Sequence, residues 1–152
     1  MKTLISNNLK DTEKIAQDFL NKLRPHGSRA TVVALQGDLG SGKTTFTKAF
    51  AAALGINEAE VTSPTFVIEK RFDIGNHFHF KRFVHIDAYR LEVPAKGKPS
   101  EIERLGWKET LADRGNLVLI EWPENIGEAL PKDAIKISFK FLDENSREII
   151  FG

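Results

Sequence analysis

The chain has 152 residues, which is enough for one domain whose buried core needs no covalent cross-links. It contains no cysteine, which excludes disulfides, iron–sulfur clusters and thiolate zinc sites and fits a reducing cytoplasm. Its 22 basic and 21 acidic residues nearly cancel, so the charge gives no reason to expect DNA, RNA or a membrane surface as a tight independent partner. We expect a single cytoplasmic domain over residues 1–152, because no apolar run is long enough for a transmembrane helix and the N-terminus lacks a signal-peptide pattern.

The first elements alternate between strand and helix. Residues 3–6 suggest a short strand, and an apolar stripe at helical spacing predicts a helix over residues 12–24 with Asp11 as its N-cap. The continuous apolar run of residues 30–36 predicts a buried central strand. A second apolar stripe predicts a helix from Lys43 to Leu54.

The middle of the chain carries two further predicted strands and a helix. Residues 65–72 and 83–87 suggest strands, joined by a hairpin turn at residues 73–76. His77 and His79 lie two apart on a predicted strand of that hairpin, so they would face the same solvated side rather than bind a metal, since two ligands are too few. Residues 101–112 suggest a helix after a loop.

The last third of the chain is predicted to be mostly strand. Residues 116–121 form a second buried apolar run. Residues 135–141 and 147–151 could pair as a terminal hairpin around a turn at residues 143–146.

A phosphate-binding loop lies between the central strand and the second helix. Gly37-Asp38-Leu39-Gly40-Ser41-Gly42-Lys43-Thr44 fits the pattern G-x-x-x-x-G-K-S/T in full. Glycines let the backbone turn its N–H groups inward around phosphate oxygens, and the helix N-terminus adds its positive dipole end. Lys43 is expected to reach the β and γ phosphates of ATP, and the Thr44 hydroxyl to coordinate Mg²⁺. The pattern predicts a P-loop NTPase-like three-layer α/β fold, with a central mixed, largely parallel sheet flanked by helices and antiparallel hairpins at the edge.

Two acidic residues are candidates for the magnesium side of this site. Asp87 and Glu121 each follow an apolar strand, so both should emerge at the edge of the sheet where α/β sites gather. A P-loop needs a carboxylate near its metal. The residues alone do not decide which of the two is the catalytic base and which is the metal ligand.

Four segments in order resemble one family. They are the phosphate loop extended to Thr45, then Thr62-Ser63-Pro64-Thr65-Phe66, His85-Ile86-Asp87-Ala88-Tyr89-Arg90 and Ile120-Glu121-Trp122-Pro123-Glu124. Together they are similar to the signature set of the TsaE (YjeE) family, the ATPase of bacterial tRNA threonylcarbamoyladenosine synthesis.

The resemblance implies further roles at the site. Thr45 would extend the phosphate contacts, Thr65 would belong to a switch segment that senses the γ-phosphate, and Trp122 would lie beside the nucleotide or the partner face. Asp87 would position water or act as a base, and Glu121 would be the metal-side acid.

The resemblance also implies partners. ATP hydrolysis would serve the proteins TsaD and TsaB, which modify adenosine 37 of tRNA, so that tRNA is reached through the complex. Residues 70–82 and 94–99 look longer than the family pattern and could alter the partner surface.

Two other functions are compatible with a P-loop. A small-molecule kinase would need an arginine-bearing lid, for which residues 90–105 offer only Arg90 and Arg104. A nucleotide-gated assembly subunit would bind ATP and hydrolyse it only incidentally. A GTPase is less favoured, because the chain has no N-K-x-D guanine-reading block.

Overall fold

The computed structural model describes residues 1–25, 27–61, 68–75 and 77–152, with the side chains of all of these except Glu58 and His77. The strands found there are β1 (Lys2–Ser6), β2 (Thr31–Gln36), β3 (Glu69–Asp73), β4 (Arg82–Asp87), β5 (Asn116–Glu121), β6 (Ile135–Phe141) and β7 (Arg147–Phe151). The α-helices are α1 (Leu9–Lys22), α2 (Lys43–Ala53), α3 (Glu58–Val61) and α4 (Trp107–Ala112).

The strands form one mixed sheet in the order β1-β7-β6-β2-β5-β4-β3. The pairs β2–β5, β2–β6 and β4–β5 are parallel, whereas β3, β7 and β1 add antiparallel pairs at the two sides. β2 lies in the middle and is buried over most of its length. Because β2, β4, β5 and β6 run the same way, their carboxyl ends meet at one edge of the sheet. The predicted α/β architecture is confirmed.

One face of the sheet is covered by α1 and α2. Phe46 and Phe50 of α2 are fully buried, and the Phe50 ring lies 6.2 Å from Phe19 of α1 and 5.8 Å from Phe83 of β4. Alternate residues of β2 and β5, such as Val33 and Leu119, contribute the sheet side of this cluster. The packing fixes α2, and therefore the loop before it, against the central strands.

Short elements cover the opposite face. Ile102, Trp107 and Ile126 pack there against the other set of alternate strand residues, which includes Ala34 and Ile120. The two clusters make a three-layer arrangement. Among the described helices, none combines the length and apolar character needed to span a lipid bilayer.

The strand predictions are largely confirmed, including the buried runs at β2 and β5 and the terminal β6–β7 hairpin. The predicted strand at residues 65–72 is observed as β3 from Glu69 onward. Its first residues, together with the whole Thr62–Phe66 segment, lie outside the described residues. So does Asn76 of the predicted hairpin turn.

Three local predictions are wrong. The N-cap of α1 is Asn8, whose side chain accepts from the backbone N–H of Asp11, so the helix begins three residues before the predicted position. The predicted helix over residues 101–112 is broken at Gly106, whose φ of 77° separates a 3₁₀ turn (Glu101–Leu105) from α4. His77–His79 forms another 3₁₀ turn rather than part of a strand.

Candidate nucleotide site

The loop after β2 forms a cradle that only glycine permits. Gly37, Gly40 and Gly42 have φ of 150°, 76° and 111°, a region that L side chains rarely adopt. A Cβ on Gly37 would lie 2.6 Å from Ser41 Oγ and 2.7 Å from the carbonyl oxygen of Phe139. The positive φ disfavours other residues at all three positions, and at Gly37 the backbone is also packed too closely for a side chain.

The first turn of α2 presents its backbone N–H groups to this cradle. Gly42 is the N-cap and provides no side-chain hydrogen bond, so the N-terminal amides are not capped by the residue in that position. The helix has 11 residues and ends at Ala53, one residue before the predicted end, with Leu54 as its C-cap ahead of Gly55. Free amides and the positive end of the helix dipole suit an anion.

Lys43 is almost fully buried, with an exposed fraction of 5%. Its ammonium donates to the carbonyl oxygen of Gly37, and its Nζ lies 3.2 Å from the ring centroid of Trp122. Burial lowers the pKa of Lys43 below its ordinary value of 10.5, and the negative charges of Glu121, Glu124, Asp87 and Asp38 oppose that shift. The carboxylates thus help to keep a buried cation charged.

Trp122 occupies the left-handed region, with φ of 59° and ψ of 51°. It follows the last residue of β5 and precedes Pro123, which begins a 3₁₀ turn. Its ring lies 5.0 Å from that of Tyr89, centroid to centroid. The unusual backbone therefore turns the indole toward Lys43 and Tyr89 at the edge of the sheet.

The two predicted carboxylates lie side by side at the ends of β4 and β5. Asp87 and Glu121 are register partners in the parallel ladder. Asp87 is exposed, and its Oδ1 accepts a hydrogen bond of 3.0 Å from the backbone N–H of Tyr89. Glu121 is 5% exposed, and its Oε2 accepts from His85 Nε2 at 2.8 Å. One carboxylate faces solvent, whereas the other is fixed by a buried histidine.

These groups line one cleft of about 320 Å³. Its walls include most of the predicted site: Leu39, Gly40, Gly42, Lys43, Thr44, Thr45, Asp87, Glu121 and Trp122. Gly37, Asp38 and Ser41 support the loop behind this wall, where the Ser41 N–H donates to the Asp38 carbonyl oxygen. Thr65 lies outside the described residues. The structure thus brings together predicted residues from three separate segments of the sequence.

The donors in the cleft suit magnesium. Thr44, Asp87 and Glu121 offer oxygen atoms only, and Mg²⁺ prefers one or two carboxylates together with substrate phosphates rather than a cage made of protein. The described residues contain no group of three or more His, Asp or Glu side chains placed to hold a metal ion. The residues therefore fit a metal that is bound jointly with a nucleotide.

Sequence reasoning did not assign three of the residues at this site, which are Tyr89, His85 and Arg147. His85 lies within one of the quoted segments, but an alternating strand pattern does not show that its side chain meets Glu121. Arg147, the first residue of β7, also lines the cleft. Only the order of the strands in the sheet could have identified it, because no local motif surrounds it.

A glycine cradle at the start of a helix, a lysine within it and two carboxylates on adjacent strands define a P-loop protein of the α/β class. The family model described as "Threonylcarbamoyl adenosine biosynthesis protein TsaE" matches residues 6–149. The chain belongs to the TsaE family.

Individual relatives agree with this assignment. The chain is 36% identical over 144 residues to the tRNA threonylcarbamoyladenosine biosynthesis protein TsaE of Rickettsia felis, covering 95% of this chain and 75% of the relative. It is 42% identical over 120 residues to the protein of the same name from Bacillus subtilis, covering 79% and 68%. The crystal structure of Bacillus subtilis YdiB is also similar, with a TM-score of 0.71, 32% identity and coverage of 99% of this chain and 83% of that one.

Proposed function

We propose that this chain is a Mg²⁺-dependent ATPase that acts in tRNA threonylcarbamoyladenosine synthesis, where it drives or resets a TsaB–TsaD complex that modifies adenosine 37. The observation that carries the proposal is the shared cleft, in which the phosphate loop, Lys43 and two strand-end carboxylates meet. The family relationship supports the pathway, because the relatives bear the name of that biosynthesis.

The phosphate loop would bind the nucleotide by charge and by backbone hydrogen bonds. The N-terminal amides of α2 point toward the cradle, and Lys43 already has its ammonium there. Thr44 and Glu121 would hold the magnesium, which supplies charge neutralisation on the β and γ phosphates when bound. The chain's own contribution is to position the triphosphate and to offset its charge.

Asp87 is the better placed of the two carboxylates to act on water. It is solvent-exposed at the cleft, and the Tyr89 N–H fixes one of its oxygens, so the other can orient a water molecule or accept its proton. The water oxygen would attack the γ-phosphorus, and the bond to the β–γ bridging oxygen would break. One carboxylate oxygen of Glu121 is hydrogen-bonded to His85, and this fixed position suits a metal ligand better than a catalytic base.

The open side of the cleft supports a partner-dependent activity. Leu39 and Tyr89 lie at its wall with exposed fractions of 69% and 48%. Exposed apolar side chains beside a reaction site are typical of a surface that another protein covers. We therefore propose slow turnover by the isolated chain and faster turnover when TsaD and TsaB complete the site.

The test measures binding and turnover separately. Purified protein is titrated with ATP and ADP, with and without Mg²⁺, and phosphate release is followed with and without TsaD and TsaB. We expect Mg²⁺-dependent binding and a rise in hydrolysis with the partners, and we expect Lys43→Ala to lose both. Absence of nucleotide binding at millimolar concentrations would contradict the proposal.

Asp87→Asn separates an ATPase from a nucleotide-gated subunit. The amide oxygen can still accept from the Tyr89 N–H, so the loop geometry is kept while the charge is removed. We expect this variant to bind ATP but to lose hydrolysis and tRNA modification. If modification persists without hydrolysis, the nucleotide acts only as an assembly signal.

The geometry does not favour the kinase alternative. Neither Arg90 nor Arg104, the two arginines available for a lid, is among the described residues that line the cleft.

A further inference from the structure

Arg147 enters the cleft from the side away from the carboxylates. It is the first residue of β7 and pairs with Phe141, the last residue of β6. In the sheet, β6 and β7 lie on one side of β2, whereas β5 and β4, which carry Glu121 and Asp87, lie on the other. Arg147 therefore flanks the phosphate loop opposite the two acidic residues.

The side chain of Arg147 contacts the phosphate loop itself. A Cβ placed on Gly42 would lie 2.5 Å from Arg147 Cδ, 2.6 Å from its Nη1 and 3.2 Å from its Nε. The guanidinium thus occupies the space that any larger residue at position 42 would need. Gly42 is required for its φ of 111° and also for this close approach.

The guanidinium has hydrogen-bonding capacity that the protein does not use. Within the described part of the chain, Arg147 makes no side-chain hydrogen bond or salt bridge, although it is only partly exposed. Arginine carries five N–H donors in a rigid fork that matches phosphate and carboxylate oxygens. An arginine held at a phosphate loop without a protein acceptor points to an anionic ligand.

The charges in the cleft lead to the same conclusion. Of the described residues that line it, Lys43 and Arg147 are basic, and Asp87 and Glu121 are acidic. Even with a bound Mg²⁺, Lys43 does not offset both carboxylates and the several negative charges of a nucleoside triphosphate. A second fixed cation makes phosphate binding more favourable in a partly desolvated site.

We propose that Arg147 binds a phosphate oxygen of the nucleotide, as a second cation that faces Lys43 across the phosphate loop. This assignment rests on the proposed function, since it places Arg147 in the same nucleotide site. It adds a ligand-binding residue from the terminal hairpin, a part of the chain that lies outside all four signature segments.

The experiment compares ATP with a ligand that has phosphates but no base. Wild-type protein, Arg147→Gln, Arg147→Lys and the control Lys140→Ala are titrated with ATP and with inorganic tripolyphosphate in the presence of Mg²⁺. Lys140 is exposed on the neighbouring strand β6 and does not line the cleft. We expect Arg147→Gln to weaken both ligands roughly tenfold or more, Arg147→Lys to retain part of the affinity, and the control to bind as wild type does.

The outcomes distinguish this proposal from the proposed function. If wild-type protein binds neither ligand, the nucleotide site itself is wrong. If wild type binds ATP and Arg147→Gln binds it equally well, Arg147 is not a ligand-binding residue. If Arg147→Gln weakens ATP but leaves tripolyphosphate binding unchanged, Arg147 contacts the base or ribose and the phosphate assignment is overturned. If wild type binds ATP but not tripolyphosphate, adenosine replaces it as the comparison ligand, and an equal loss for ATP and adenosine in Arg147→Gln overturns the assignment. Thermal melting of each variant checks that the fold is intact, and Arg147→Lys retains the side-chain length and charge should Arg147→Gln unfold.

Discussion

Lys43 is held between a backbone carbonyl and an aromatic ring, in a position that is nearly closed to solvent. Because burial lowers its pKa below 10.5, the ammonium loses its proton at lower pH than an exposed lysine does. For folding alone, burying the charged lysine carries a penalty that begins to decline at the lowered pKa and is gone above 10.5, so the free energy of unfolding rises with pH across this window.

Nucleotide affinity should show the opposite dependence on pH. Phosphate binding requires the charged form of Lys43, so we expect affinity to be constant near neutrality and to fall as pH rises through the lowered pKa, before 10.5 is reached. Titration of ADP binding between neutral and alkaline pH measures this. Lys43→Arg provides the control, because a guanidinium stays charged throughout. Nucleotide affinity that stays constant up to pH 10.5 would show that burial does not lower the pKa of Lys43.

Glu121 gives a second prediction for a single side chain. We expect Glu121→Gln to raise the Mg²⁺ concentration for half-maximal turnover by about tenfold or more, because it removes a charged metal donor while keeping an oxygen near His85. A magnesium titration of phosphate release measures this. The exposed Glu128, which does not line the cleft, supplies the matched control Glu128→Gln. Unchanged magnesium dependence in Glu121→Gln would remove Glu121 from the site.

The predictable site residues are those with a local signal. The spacing of the phosphate loop identifies Lys43, and apolar runs that end in a carboxylate identify Asp87 and Glu121. His85 and Arg147 have no such signal, because their relation to the site depends on which strands are neighbours and on how the side chains of those strands alternate.

The hairpin of β6 and β7 places Arg147 at the wall of the cleft. Asp143 stabilises its turn, since its Oδ1 accepts from the backbone N–H groups of Asn145 at 2.9 Å and Ser146 at 2.8 Å. These hydrogen bonds hold the pKa of Asp143 below its ordinary value. The turn is therefore stabilised while the carboxylate is charged, and that stabilisation is lost as pH falls through the lowered pKa.

We expect Asp143→Ala to loosen the turn and to weaken nucleotide binding, though less than removal of the Arg147 side chain does. Asp143→Asn keeps an oxygen acceptor and should lie between wild type and Asp143→Ala. Hydrogen exchange of the β6–β7 amides, together with nucleotide titration, tests both effects. If exchange rises but affinity is unchanged, the turn does not position Arg147.

Element boundaries were predicted less well than element types. Asn8 and Asp11 can both cap a helix, and hydropathy does not separate them; only the observed bond from the Asp11 N–H to Asn8 does. Gly106 divides a segment whose apolar spacing resembles one helix, because its left-handed backbone lets Trp107 turn into the core. Strands were easier to predict, since a continuous apolar run is typical of a strand buried on both faces.

At the scale of the whole molecule, the phenylalanine cluster joins α1, α2 and the sheet. Phe50 is fully buried and lies near Phe19, Phe46 and Phe83. We expect Phe50→Ala to lower the free energy of unfolding by about 3–5 kcal/mol, through lost burial and the cavity left behind. Urea denaturation measures the change, with the exposed Phe141→Ala as control. If Phe50→Ala lowers the free energy of unfolding no more than Phe141→Ala does, the layer of α1 and α2 is loosely packed against the sheet.

The two outer layers also differ in how well sequence predicts them. The layer of α1 and α2 follows from regular apolar stripes. The opposite layer consists largely of short 3₁₀ turns, such as Pro123–Ala129, which lack periodicity and depend on contacts with the finished sheet. Its irregular form could therefore not be derived from the chain alone.

The left-handed backbone of Trp122 has an evolutionary consequence. A non-glycine residue in that region costs of the order of 1–3 kcal/mol, and glycine would remove most of the cost. Replacement by glycine would also remove the indole, which packs against the core cluster and lies over Lys43, and losing a packed aromatic side chain costs about 3–5 kcal/mol. Selection for heat resistance and selection for an aromatic surface over Lys43 therefore act in the same direction, so laboratory evolution toward thermostability without an activity screen should retain Trp122.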